Sequence, residues 1–174
     1  MKIQIVPSAL MTDREIENII SFCNRAYAEE LDALFETFEN TTHVLGLINE
    51  KLVSHAMCVT RYLQTGAAPI MRTAYVEMVA TEKAYRRRGF AAAIMKRLID
   101  EVQDYDLAAL SPSDHKYYAK LGWELWQGPL FIRTDDGLLA SPEDEEAMIY
   151  RLPKTPVLDL AAPLSAEWRE GELW

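Results

Sequence analysis

The sequence predicts a single α+β domain built on a mixed sheet, and three observations carry that reading. Strand-like and helix-like segments follow in the order β-α-α-β-β-β-α-β-α-β-β, which is not the strict alternation of a parallel sheet. Apolar residues recur at helical spacing in two well-separated segments, Ile16 to Tyr27 and Phe90 to Val102. The chain has 174 residues, 49% of them apolar, which is enough for one sizeable core.

The elements follow from local pattern. Lys2 to Val6 alternates as a strand does. Thr12 stands three residues before Glu15, a capping box that opens a helix carrying Ile16, Ile19, Ile20, Cys23 and Tyr27 on one stripe. A second, acidic helical stretch spans Glu29 to Glu39, with Leu31, Leu34, Phe35 and Phe38. His43 to Glu50 and Lys51 to Thr60 are β-rich runs meeting at Asn49-Glu50-Lys51, a predicted hairpin. After a turn near Gly66, Ala74 to Thr81 is the most strand-like segment of the chain. Phe90, Ala91, Ile94, Met95, Leu98, Ile99 and Val102 form the second helical stripe. A short buried strand at Leu107 to Leu110, a short helix at Ser113 to Lys120, and strands in 122–133 and 147–152 complete the domain. Pro153, Pro156 and Pro163 break regular structure beyond that point, while Leu158, Leu160, Leu164, Trp168 and Trp174 stay apolar. Residues 153–174 therefore read as a tail packed on the body, not a separate domain.

The formal net charge of -9 disfavours nucleic acid and anionic membranes and favours cationic partners. Cys23 and Cys58 lie in apolar contexts without Cys-x-x-Cys spacing and read as buried reduced thiols. The first residues are too polar for a secretory segment, and no apolar run approaches the roughly 20 residues of a membrane span, so the cytoplasm is the default location. His43, His55 and His115 show no metal-ligand spacing, and no metal is expected.

Between the strand ending near Thr81 and the helix from Phe90 stands Arg86-Arg87-Arg88-Gly89-Phe90-Ala91. A glycine turn lets backbone N–H groups converge on an anion, and the helix N-terminus that follows adds partial positive charge. Three arginines beside that dipole are unfavourable unless an anion such as a pyrophosphate balances them. The turn lacks the Lys-Ser/Thr of a nucleotide P-loop, and its spacing does not fit the dinucleotide fingerprint.

In these segments the chain resembles the GNAT acetyltransferases. Arg86 to Ala91 matches the family's Arg/Gln-x-x-Gly-x-Gly/Ala acetyl-CoA motif between strand and helix, and Tyr118-Ala-Lys-Leu-Gly122-Trp123 matches its Tyr-x-x-x-Gly-Phe/Trp signature. The resemblance implies a GNAT-like, mostly antiparallel mixed sheet flanked by helices, in one N-acetyltransferase domain over 1–174. It implies acetyl-CoA as acetyl donor and coenzyme A as product. Val79, Ala80 and Thr81, on a strand that splays from its neighbour, and Arg86, Arg87, Arg88, Gly89, Phe90 and Ala91 would bind that donor. The backbone N–H near Val79 would polarise the thioester carbonyl.

Within the family the chain is most similar to the aminoglycoside 2'-N-acetyltransferases. The similarity is densest from Tyr75 to Trp174, through Tyr75-Val-Glu77, Ala109-Leu-Ser111, Gly122-Trp-Glu-Leu-Trp126-x-Gly128, Ser141-Pro-Glu-Asp144 and the ending Trp168 to Trp174. It implies a cationic aminoglycoside acceptor attacked directly in a ternary complex. Glu77 would act as base through water and Tyr118 as general acid. Glu30, Glu77, Met78, Ser111, Glu143, Asp144, Glu172 and Trp174 would face the acceptor. Whether Glu29 or Glu30 matches the family's acidic position stays open. Glu30 and Glu172 replace family Asp residues, Asn40-Thr41-Thr42-His43 replaces a Gly-Gly-Met-His segment, and about two residues are missing between Ser111 and Tyr118. These departures leave open kasugamycin as against antibiotics of the gentamicin or tobramycin type. A homodimer is a common assembly in the family. Two other readings stand beside this one: acetylation of a protein or peptide amine or small polyamine, and a non-catalytic acetyl-CoA-binding module.

Overall fold

The computed structural model describes every residue from 1 to 174. Two compact units emerge, the first from Met1–Val59 with Val76–Glu101, the second from Thr60–Tyr75 with Val102–Trp174.

In the first unit β1 (Lys2–Pro7) pairs antiparallel with β2 (Thr42–Ile48), and β2 with β3 (Lys51–Thr65). Asn49 and Glu50 form the two-residue loop between β2 and β3, with φ of 49° and 61°, as a primed hairpin turn requires. Helix α1 (Asp13–Tyr27) begins at the expected capping box: Thr12 Oγ1 accepts from the Glu15 N–H at 3.3 Å, and the Glu15 carboxylate accepts from the Thr12 N–H at 2.8 Å. The helix ends where Ala28 turns left-handed. Asn24 then organises the following loop, donating to Asp32 at 2.7 Å and accepting from the Leu31 N–H at 3.0 Å. Helix α2 is consequently confined to Asp32–Glu36, much shorter than the 29–39 stretch its apolar pattern predicts.

β4 (Met71–Thr81) is the long strand expected before the glycine turn, and α3 (Phe90–Glu101) follows that turn. One face of α3 buries Ile94, Met95, Leu98 and Ile99. Ile19, Phe22 and Cys23 of α1 pack with Met57, Met78 and Ala80, so the core of this unit reaches the end of β4.

The second unit contains β5 (Leu107–Leu110), α4 (His115–Ala119), β6 (Glu124–Leu125), β7 (Leu130–Thr134), β8 (Gly137–Ala140), β9 (Met148–Arg151) and β10 (Leu164–Glu167). With the parts of β3 and β4 that belong to this unit, residues 60–65 and 71–75, its strands run in the order β6-β9-β5-β4-β3-β10-β7-β8. β4 pairs in parallel with β5 over Thr73–Tyr75, β10 pairs in parallel with β7, and the other recorded pairings are antiparallel. The sheet is mixed and mostly antiparallel, as the sequence predicts.

The C-terminal third differs from the expected pair of strands. The 122–133 run splits into β6 and β7, because Gln127-Gly128-Pro129 interrupts it. A further strand, β8, returns from β7 over Asp135-Asp136. The tail is not without regular structure: Leu164–Glu167 pairs with both β3 and β7. The Trp126-x-Gly128 pattern explains how the tail docks. Trp126 Nε1–H donates to the Ala162 carbonyl at 2.9 Å, and a Cβ on Gly128 would lie 2.0 Å from that oxygen.

Arg61 secures the end of the tail. Only 1% exposed, it donates from Nη1 to the Leu173 carbonyl at 2.6 Å and from Nη2 to the Glu167 carbonyl at 2.7 Å, while Nε meets the Glu167 carboxylate at 3.3 Å. A guanidinium so buried is tolerable only because each edge finds an acceptor. Arg61→Leu should therefore cost about 3 kcal/mol or more in urea unfolding and expose the last residues to carboxypeptidase. A loss under about 1 kcal/mol, the range of an exposed ion pair, would show that the tail is held by other contacts.

Candidate active site

The geometry of the first unit turns on Met78. A strand residue with φ of 53° is a left-handed break, unfavourable for a bulky side chain unless its surroundings impose it. Here they do, because four consecutive carbonyls each accept from a side chain. His55 Nδ1 meets Met78 O at 2.8 Å, Tyr27 Oη meets Val79 O at 3.0 Å, Ser54 Oγ meets Ala80 O at 3.1 Å, and Arg86 Nε meets Thr81 O at 3.1 Å. Glu77, immediately before the break, is 8% exposed, so it is not the surface-facing residue that strand alternation could equally have made it.

Behind His55 lies a buried chain. Its Nε2 is 3.0 Å from His43 Nδ1, and His43 Nε2 is 2.8 Å from Thr41 Oγ1. The chemistry of the partners fixes the protons. A carbonyl can only accept, so His55 carries its proton on Nδ1 and accepts at Nε2. His43 must then donate from Nδ1 and accept at Nε2 from the Thr41 hydroxyl. Both rings are neutral in this arrangement. Burial pushes His43 down to about 4, and burial followed by the neighbouring His43 pushes His55 down to about 3. The Cys23 thiol lies 3.7 Å from His55, but burial raises both Cys23 and Cys58 to about 12, so neither is a thiolate near neutral pH.

The glycine turn follows directly. Arg87 and Gly89 take φ of 58° and 77°, and α3 begins at Phe90 with no acidic residue in its first turn. The first helical bond runs from the Ala93 N–H to Gly89 O, so the preceding amides have no partner within the helix. The three arginines are exposed but not equivalent. Arg86 ties the turn to Thr81 O and, through Nη2 at 2.9 Å, to Ala26 O at the end of α1. Arg88 lies 5.3 Å from the Tyr85 ring, which stacks on Phe90. Val79 and Thr81 are half-buried, Ala80 is buried, and Phe90 and Ala91 are half-buried at the helix start. Glu29 and Glu30 are both exposed in the loop after α1. Exposed guanidinium groups, a left-handed glycine and unpaired helix amides form a donor set suited to a diphosphate.

In the second unit Tyr118 is buried on α4, edge-to-face with Tyr117 and Trp123. Burial, with Tyr117 and Asp114 adding to it, raises its phenol to about 12. Ser111 Oγ donates to Glu145 at 3.1 Å, and His115 meets Glu146 at 3.1 Å, so both contact the loop that carries the exposed Glu143 and Asp144. Trp174 is buried and donates from its indole to Ser141 Oγ at 2.8 Å on the same loop, with Glu172 exposed beside it. Ser111, the 141–146 loop and the C-terminal tryptophan thus form one cluster. Sequence reading missed Glu145 and Glu146 as the residues that hold it.

This fold and this turn place the chain in a class, and comparison with known proteins agrees. The family described as acetyltransferase (GNAT) domain matches residues 9–126, and the chain belongs to that family. Over 129 residues it is 35% identical to an aminoglycoside 2'-N-acetyltransferase of Mycolicibacterium fortuitum, covering 71% of this chain and 66% of that relative, slightly under two thirds of its length. Among solved structures, the GNAT family N-acetyltransferase YhbS of Escherichia coli, crystallised with CoA, superposes with a TM-score of 0.67 at 14% identity over 98% of this chain and 91% of that one. Eis1 of Mycobacterium abscessus gives 0.63 at 19% identity over 74% of this chain but only 33% of its own. The structural likenesses bear on fold alone.

The histidine pair gives stability a defined response to acid. In the unfolded chain both imidazoles take up protons near pH 6.5, whereas in the fold they stay neutral to about pH 4 and about pH 3. Unfolding therefore binds protons below pH 6.5, and stability falls as acid is added. The predicted slope near pH 5 is up to about 2.7 kcal/mol per pH unit for two histidines, read from urea unfolding at a series of pH values. His55→Asn should roughly halve it. A flat response would mean that the rings are charged in the fold.

Proposed function

We propose that the chain transfers the acetyl group of acetyl-CoA to an amine of an aminoglycoside antibiotic, the one at the 2' carbon, by direct attack without a covalent enzyme intermediate. The observation that carries the reading is Glu77, a buried carboxylate one residue before the left-handed Met78, on the strand that leads into the arginine-glycine turn. The similarity to the M. fortuitum enzyme supports the acceptor class, as does the net charge of -9, which favours a polycation.

The arginine-glycine turn and the start of α3 hold the diphosphate of acetyl-CoA, whose thioester supplies the activated acetyl group. Glu77 takes a proton from the substrate ammonium through water, leaving a neutral amine. Its nitrogen bonds to the carbonyl carbon as the carbon–sulfur bond breaks, and it loses its second proton to water, giving a neutral amide and the thiolate of coenzyme A. Tyr118 donates to the departing sulfur. A phenol at about 12 keeps its proton until the sulfur carries charge. Full transfer to a thiolate of ordinary basicity, near 8.5, runs roughly three units uphill, so the hydrogen bond is its main contribution and solvent completes the protonation. Glu143, Asp144, Glu172 and Trp174 gather the remaining ammonium groups, with Ser111 near them. Buried reduced thiols and the use of acetyl-CoA suit the cytoplasm.

Thiol release from acetyl-CoA, with product mass spectrometry, tests the reading on kasugamycin, gentamicin, tobramycin and an antibiotic lacking a 2' amine. Release should require the amine; equal release with and without antibiotic would exclude the aminoglycoside acceptor. Deleting Leu173-Trp174 should abolish transfer to the antibiotic while sparing CoA binding. Tyr118→Phe should lower kcat about 10- to 100-fold with CoA affinity unchanged, and Glu77→Gln should lose most activity at low pH, where the amine is fully protonated. Unchanged turnover in either variant removes that residue from the mechanism.

A further inference from the structure

The Met78–Val79 peptide is trans, since the chain contains no cis bond, so its carbonyl and its N–H point to opposite sides. One side is settled: Met78 O faces the His55 Nδ1–H at 2.8 Å. The Val79 N–H therefore points away from His55. The next peptide is settled too, because Val79 O accepts from the Tyr27 hydroxyl. The β4–β5 ladder stops at Tyr75, before this segment begins.

We propose that His55, supported by His43 and Thr41, is a positioning residue for acetyl transfer: its N–H fixes the left-handed Met78 peptide so that the Val79 N–H is aimed at the carbonyl oxygen on which negative charge develops. This rests on the acetyl-transfer reading but not on the identity of the acceptor. A left-handed methionine has alternatives of lower local energy. Without the His55 bond the peptide relaxes, and the Val79 donor swings away from its line. The chain behind His55 sets the direction of the bond. Thr41 donates to His43 and His43 to His55, so the only proton of His55 is left for Met78 O. The same polarity strengthens the final link, since each donor in a hydrogen-bonded chain polarises the next. Simple core histidines would need none of this order. The fully buried His55 instead gives its single proton to the one peptide of β4 that departs from strand geometry.

Two substitutions separate positioning from packing. Asparagine at this position carries an amide N–H near the place of Nδ1 and preserves the bond; leucine fills space without it. Acceptor-free hydrolysis of acetyl-CoA and transfer to tobramycin are followed as thiol release for the wild type, His55→Asn and His55→Leu, with CoA affinity from calorimetry. Removing an oxyanion donor costs about 10²-fold or more in turnover. His55→Leu should therefore lose roughly that factor in kcat, with KM for acetyl-CoA and CoA affinity within about threefold. His55→Asn should stay within about fivefold of the wild type. An unchanged kcat in His55→Leu, an equal loss in both variants, or a loss confined to CoA affinity would overturn the assignment. If His55→Leu does not fold, nitrogen-15 spectra of the wild-type imidazoles decide. Both rings should be neutral and protonated on Nδ1, and a charged ring or an Nε2 proton on His55 would contradict the chain. A wild type that hydrolyses acetyl-CoA yet ignores kasugamycin, gentamicin and tobramycin alike would remove the aminoglycoside reading and leave positioning to be judged on the hydrolysis rates.

Discussion

A peptide that leaves strand geometry stays in place only if its polar groups are held, and at the end of β4 they are held by side chains. His55, Tyr27, Ser54 and Arg86 come from β3, α1 and the glycine turn, and they take the carbonyls of Met78, Val79, Ala80 and Thr81 in succession. Side chains aim more variably than a neighbouring strand, so each peptide plane is set separately. The segment can thus present its amides in directions that a regular ladder would not allow.

The same four bonds couple the segment to its surroundings. Arg86 binds both Thr81 O and Ala26 O, so the basic turn, the end of β4 and the end of α1 are fixed together. Tyr27, the last residue of α1, reaches Val79. Helix α1 in turn is held at its other end by the Thr12–Glu15 box and on its buried face by Phe22 and Cys23. The irregular end of β4 is thereby anchored in ordinary core packing. The second unit uses the same device on a larger scale, where Arg61 holds the backbone of Glu167 and Leu173 and so keeps Trp174 against Ser141.

Much of this was legible in the sequence, and the reason differs from case to case. The capping box at Thr12 and the stripe from Phe90 to Ile99 follow from spacing alone, because local chemistry decides them. The arginine-glycine turn was visible as a basic cluster at a helix start, but the division of labour among Arg86, Arg87 and Arg88 was not, since it depends on where α1 ends. Helix α2 is shorter than its apolar spacing predicts, because Asn24 and the left-handed Ala28 hold the preceding residues in a loop. The β8 hairpin has its signal in the Asp135-Asp136-Gly137 turn, and β10 lies among prolines that mask it. His43 and His55 read as unremarkable strand residues. Their register across β2 and β3 and their reach to Met78 are products of three-dimensional pairing that no spacing rule encodes.

The proposed acetyl transfer requires the turn before α3 to hold a diphosphate through its backbone, and Gly89 offers the most direct test. Its φ of 77° suits glycine, while a Cβ there would meet nothing within 4 Å, so Gly89→Val changes conformation without creating a clash. Calorimetric titration with coenzyme A should show binding at one site in the wild type, weakening as salt is raised, and a loss of about tenfold or more in Gly89→Val. Absence of binding by the wild type, or equal affinity in the two proteins, would contradict the claim.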